Sequence, residues 1–205
     1  MDIPVSYESR LELAHKYMIS KHGLQKRKTG EYYTVHPVLV SALAEIYKGD
    51  SHQIENIKIA CLLHDVPEDT NGYYEEIKEL FGKFVADLVR EVTSISKEAM
   101  ALSGEEKKEY LAKKMQAMTE YGLVVKLYDR LANVMTLGGC EGKFKYRQFK
   151  DTEYILAELY DKRTFLTRTH HIIMAQVQLE LNKLDPKNLV EKMANKKTEK
   201  VEDVE

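Results

Sequence analysis

Cysteine is scarce in this chain: Cys61 and Cys140 are the only two among 205 residues. Two thiols cannot build the disulfide framework of a small secreted protein, and their scarcity predicts a reducing, cytoplasmic setting. An excess of positive charge is also missing, since 31 Lys and Arg against 33 Asp and Glu leave a formal net charge of −2. That balance excludes a general electrostatic grip on a nucleic-acid polymer, so any anion must be held by a local cluster. No uninterrupted apolar run approaches the length of a membrane span, and no membrane partner is expected. Met1 to Ser6 lack the basic and apolar regions of a signal peptide. Neither an internal repeat nor a convincing strand pattern is visible. What is present, 43% hydrophobic and 31% charged residues, is the composition of a soluble globular chain with a single core.

Apolar positions recur at helical spacing almost throughout. Tyr7, Leu11, Ala14 and Met18 predict a first helix, with Ser6 as N-cap and Gly23 as stop. Pro37 suits the first turn of a second helix that ends at Gly49, and a third is expected from near Ser51 to His64. Pro67 biases Val66 away from helical geometry, which places Glu68 and Asp69 on a turn. Short helices are expected over 75–80 and 83–92, one charged helix over 104–121, and another over 123–137. A Gly- and Lys-rich loop at 138–145 then leads to two long helices, 149–162 and 164–184. The whole predicts one all-α domain over residues 1–184, a bundle of about eight to ten helices. Residues 185–205 form a polar, charged tail that is expected to fray.

Chemistry concentrates in the run from Cys61 to Thr70, where an apolar stretch ends in His64, Asp65, Glu68 and Asp69. Burying such groups is costly unless they are paired or hold a cation. His36 and Asp129 extend the pair His64 and Asp65 to a nitrogen and oxygen donor set with no thiolate. Such a set favours manganese, magnesium or iron over a structural zinc. Cys61 lies one turn before the pair among apolar neighbours and reads as a core residue. Donors this far apart in sequence need a formed fold, as a catalytic metal does. Taken singly, each element has a plainer reading. His64 and Asp65 could be a helix-end pair, Asp129 could pair with Lys126 or Arg130, and Glu68 and Asp69 could be a solvated turn. Lys26, Arg27 and Lys28 alone would be a solvated basic loop. On the later helix Lys126, Asp129, Arg130 and Asn133 share one face and Leu127, Leu131 and Val134 another, which predicts one packed side and one facing a polar site.

His36-Pro37, the run Ala60 to Thr70 and the run Val125 to Asn133 together resemble the HD-superfamily hydrolase domain of the RelA/SpoT alarmone proteins. Arg27 to Glu31, Phe81-Gly82 and Val89 to Thr93 are similar as well, so the likeness covers roughly residues 7–180. The resemblance implies an all-helical HD fold with one manganese ion on His36, His64, Asp65 and Asp129. It implies Glu68 and Asp69 as the acids that position and deprotonate a water. Arg27, Lys28 and Thr29 would contact the nucleotide, with Lys126 and Asn133 beside the substrate, while Arg130 could bind phosphate or brace the carboxylates. The reaction implied is loss of the 3′-pyrophosphate from guanosine tetra- or pentaphosphate, by a stand-alone small alarmone hydrolase. Rival readings are hydrolysis of the adenosine alarmone ppApp or of the NADPH 2′-phosphate, or an inactive alarmone-binding module. The chain departs from the family pattern at Tyr128 (usually Ala), Ala132 (His), Met135 (Arg), Pro67 (aliphatic) and Tyr32 (Pro). None of these removes a candidate ligand or acid. Lys143, Lys145 and Arg147 could restore positive charge lost at 132 and 135, or form a solvated loop.

Overall fold

The computed structural model describes residues 9–27, 29–94, 102–140 and 142–184. Regular structure among them is helical, apart from an isolated antiparallel bridge between Lys26 and Tyr32. In chain order the helices are α1 Arg10–His22, α2 Val35–Lys48, α3 Ile54–Leu63, α4 Val66–Asp69 and α5 Tyr74–Phe81. They continue as α6 Lys83–Val92, α7 Gly104–Ala117, α8 Glu120–Thr136, α9 Gly142–Lys162 and α10 Arg168–Leu184, with a 3-10 turn at Leu137–Gly139. The all-helical expectation therefore holds. No described helix is long and apolar enough to cross a membrane.

Two helices organise the rest. α3 carries Ile57, Ile59, Ala60, Leu62 and Leu63, all buried, and packs against α1, α2, α6 and α8. α8 packs against α2, α3, α6, α9 and α10. As expected, one side of α8 packs into the core through Leu127 and Leu131 and the other, with Lys126, Asp129 and Asn133, faces a polar cluster. Lys126, Asp129 and Arg130 are buried along with Leu127 and Leu131, because neighbours surround the helix. Tyr128 is fully buried and its ring stacks on Tyr47 at 6.2 Å, so this departure from the family pattern fills the core.

Several boundaries differ from the sequence reading for local reasons. α1 starts after Ser9, whose side chain and that of Glu12 form a reciprocal capping box. Ser6 and Tyr7 lie outside the described residues. Gly23 does end α1, with φ 53°. Pro67 does not hold Glu68 and Asp69 on an open turn. It sits in the first turn of α4, where no N–H is required, and Asp69 N–H donates to the Asp65 carbonyl at 2.9 Å. The break expected between helices over 104–121 and 123–137 falls a few residues earlier, at Met118 and Thr119, where no Gly or Pro marks it. Thr119 caps α8 by accepting from Gly122 N–H at 3.1 Å, while its own N–H and hydroxyl donate to the Glu91 carboxylate at 2.5 and 2.7 Å. α9 begins at Gly142, seven residues before the expected start at 149, and absorbs much of the predicted loop. α10 begins later than expected because Thr167 caps it, its hydroxyl accepting from His170 N–H at 3.3 Å. The tail at 185–205 lies outside the described residues.

The break between α7 and α8 is closed from α9 by Arg163. Its guanidinium donates to the carbonyls of Met115 at 2.9 Å, Gln116 at 2.7 Å and Met118 at 2.8 Å, which satisfies the carbonyls that end α7. Arg163→Ala should lower the unfolding free energy by about 2 kcal/mol, since charged hydrogen bonds to half-buried carbonyls are lost. Denaturant unfolding checks this, and metal affinity measured on the same variant should stay within about twofold, because Arg163 touches no candidate ligand.

Candidate active site

The first turn of α2 supplies His36, the junction of α3 and α4 supplies His64 and Asp65, and the middle of α8 supplies Asp129. The four side chains interleave. His36 Nε2 lies 3.1 Å from Asp129 Oδ1 and 3.7 Å from Asp65 Oδ2, and His64 Nε2 lies 3.1 Å from Asp65 Oδ2 and 3.7 Å from Asp129 Oδ1. All four residues are buried, and His36, His64 and Asp65 can each offer a donor atom within 4.8 Å of the others. The fold thus gathers the complete candidate ligand set.

The orientation of His64 shows what this cluster suits. Its Nδ1 lies 2.7 Å from the Cys61 carbonyl, and only an N–H can meet a carbonyl there. Nε2 therefore turns its lone pair toward the two carboxylates, and it has no hydrogen-bond partner. A buried lone pair facing two acids is a place that a divalent ion fits. Without a metal, a proton takes the role. Burial would lower the His64 pKa, yet Asp65 and Asp129 overcome it and push it up to about 10. Burial likewise raises both carboxyls, but His64 holds Asp65 well below the ordinary range, and Lys126 with the two histidines does the same to Asp129.

Each carboxylate has a further brace. Lys126 Nζ lies 2.9 Å from Asp129 Oδ2, and Asn133 Nδ2 donates to Asp129 Oδ1 at 2.6 Å. The Tyr33 hydroxyl donates to Asp65 Oδ2 at 2.6 Å. Its ring stacks on His22 at 4.7 Å and meets His36 edge-on at 6.1 Å. Burial, then the charges of Asp65 and Asp69, drive the phenol far above its usual range, so it remains a neutral donor. Tyr33 was missed in the sequence, although its position one helical turn before His36 was a usable signal.

Glu68 and Asp69, adjacent on α4, face different spaces. Asp69 borders a cavity of about 310 Å³ that Arg27, Thr29 and Asn133 also line. Burial raises the Asp69 carboxyl, Tyr33 opposes this and Asp65 adds to it, for a net upward shift. Glu68 accepts from Ser94 N–H at 3.0 Å and borders a second cavity of about 470 Å³. Arg27 donates to Asn133 Oδ1 at 2.8 Å, so the first cavity is joined to Asp129 through a single side chain. Lys126, expected beside the substrate, lines neither cavity and is held behind Asp129. Lys28 lies outside the described residues. Arg130 does not brace the carboxylates: it donates to Gln148 Oε1 at 3.3 Å and lines the second cavity with Arg147. Arg147 was read as loop; the early start of α9 brings it here.

An all-helical fold around two histidines and two aspartates defines an HD-type domain, and residues 14–166 match the HD domain family. The chain belongs to that family. It is 43% identical over 156 residues to guanosine-3′,5′-bis(diphosphate) 3′-pyrophosphohydrolase of Aquifex aeolicus, covering 75% of this chain and 21% of that protein. It is 32% identical over 186 residues to the bifunctional (p)ppGpp synthase/hydrolase SpoT of Escherichia coli, covering 90% of this chain and 25% of that protein. The chain thus spans roughly a fifth to a quarter of these relatives' length. A solved structure of a metazoan ortholog of SpoT, described as hydrolysing ppGpp, superposes with a TM-score of 0.72. At 24% identity over 88% of this chain and 99% of that one, it shows a shared fold.

Metal binding should displace the His64 proton. The apparent affinity for manganese should therefore rise with pH below about 10, by up to about tenfold per unit for each proton displaced. The sign for the metal-free fold is opposite. Its stability from this raised pKa is complete below pH 6.5 and is lost as the pH rises through about 10. Calorimetric titration in buffers of different ionisation enthalpy counts the proton, and an affinity that does not change with pH would exclude it.

Proposed function

We propose that this domain is a manganese-dependent hydrolase of guanosine tetra- and pentaphosphate, releasing the 3′-pyrophosphate and leaving GDP or GTP. The observation that carries the reading is the convergence of His36, His64, Asp65 and Asp129 beside Asp69 and the cavity bordered by Arg27 and Asn133. The donor set, two imidazoles and two carboxylates, suits manganese. A divalent ion held there would supply an activated water at neutral pH and offset charge on the phosphoryl group.

The residues divide the remaining work. Asp69, its carboxyl raised, takes the proton of the attacking water as the water oxygen bonds to phosphorus and the bond from phosphorus to the 3′ oxygen breaks, and the departing 3′ oxygen takes a proton from solvent. Tyr33 fixes Asp65 through its hydroxyl. Glu68, fixed by Ser94 N–H, orients the water from the other side. Arg27 offers a planar guanidinium on which a purine can stack, with Thr29 on the rim of the same cavity and Lys28 as an added cation. Asn133 holds Asp129 and Arg27 together, and Lys126 acts through Asp129. The thiols of Cys61 and Cys140 are both free, which supports a cytoplasmic setting.

Purified protein loaded with manganese should release pyrophosphate from guanosine tetraphosphate and lose this activity with chelator or with Asp65→Ala. Asp69→Asn should keep the metal and lower kcat by about 10²- to 10⁴-fold, as expected for removal of a general base. Absence of pyrophosphate release by metal-loaded protein would reject the reading.

A further inference from the structure

The larger cavity beside the candidate metal centre is built differently from the smaller one. Three helices line it with cations: Lys107 and Lys108 from α7, Arg130 from α8 and Arg147 from α9. Its acids are Glu68, at the mouth of the metal centre, and Asp151, one turn beyond Arg147 on α9.

Arg130 is the informative member. Its side chain is buried, with 8% of the residue exposed, and its Nε has no hydrogen-bond partner. It donates to the neutral Gln148 amide oxygen at 3.3 Å. A guanidinium taken out of water at this depth needs a negative charge near it. Asp151 supplies that charge through space. Arg130, Arg147 and Lys108 all act on its carboxylate, yet it makes no ion pair with any of them among the described residues. Burial raises the Asp151 carboxyl despite these three cations, so the acid and the cations are incompletely matched. Arg147, exposed and resting on the Phe144 ring at 5.5 Å, can turn toward a guest.

We propose that Asp151 is an internal counter-anion that occupies the electrostatic place of a phosphate group in this cavity, and so sets the selectivity of the site between nucleotides of different charge. This rests on the hydrolase reading in one respect: the substrate carries two phosphate arms. With the 3′ arm at the metal centre, the 5′ arm enters the space of about 470 Å³ where Arg130 and Arg147 await an anion. A diphosphate placed there gains the two guanidiniums and is repelled by Asp151. The carboxylate thus compresses the advantage of a highly charged arm over an uncharged one.

The test is calorimetric binding of guanosine 5′-diphosphate and of guanosine to the full chain in chelator. Asp151→Asn should tighten the diphosphate relative to guanosine by roughly three- to tenfold, the size of a partly screened charge repulsion, and added salt should shrink that gain. Arg147→Gln, at an exposed position where folding is not at stake, should weaken the diphosphate relative to guanosine by a similar factor. If either folded variant, checked by circular dichroism, leaves the ratio of the two affinities unchanged, the proposal is overturned. The measurement needs no turnover. A shifted ratio without pyrophosphate release would reject the hydrolase reading and keep the counter-anion, and the converse result would do the reverse.

Discussion

Two carboxylates, Asp65 and Asp129, are carried out of water at the centre of this fold, and their charge must be met there. An unpaired buried carboxylate would cost several kcal/mol even after relaxation, by order of magnitude. His36, His64, Lys126, Tyr33 and Asn133 all converge on these two groups from α2, the end of α3, α8 and the segment before α2. The packing of α2, α3 and α8 against one another is therefore more than apolar burial. It is the arrangement in which cationic and donor groups from distant parts of the chain reach two acids at once. Filling α8 with buried residues on all sides follows from the same demand, since a helix that carries a charged centre must be sealed from water around it.

The position of α8 along its own axis is set at its N-terminus. Glu91 on α6 holds both the N–H and the hydroxyl of Thr119. Gly122 permits that approach, because a Cβ at this position would stand 2.1 Å from Glu91 Oε2. Seven residues further on lies Asp129. A helix is a stiff rod over two turns, so a cap at one end fixes the height of a ligand at the other. The absence of a side chain at Gly122 is thus part of how Asp129 comes to face His36.

The sequence made the ligand set legible because His36, His64, Asp65 and Asp129 carry chemistry that a helical core rarely tolerates without use. Helix interiors were also readable from spacing, as α2, α5 and α6 show. What escaped were features decided by tertiary contact. The position of the break before α8 is marked by no Gly or Pro and depends on Glu91 and Arg163, both remote in sequence. Pro67 was read through its effect on the preceding residue, whereas its freedom from an N–H at a helix start decided the outcome. Arg147 and Asp151 sit in a stretch whose composition matches a solvated surface, and only the start of α9 turns them toward a cavity. Of the two roles read for Arg130, bracing the carboxylates falls to Lys126 on Asp129, and Arg130 turns instead to Gln148 and the second cavity.

The chain of bonds from Arg27 through Asn133 to Asp129 has a thermodynamic consequence. Asn133 uses its amide oxygen on one side and its amide nitrogen on the other, so its flip state is shared between the two cavities' common wall and the charged centre. Anything that orders Arg27 also fixes the rotamer of Asn133 and with it one oxygen of Asp129. Coupling of that kind is reciprocal: an ion on Asp129 and a guest on Arg27 change each other's affinity by the same factor.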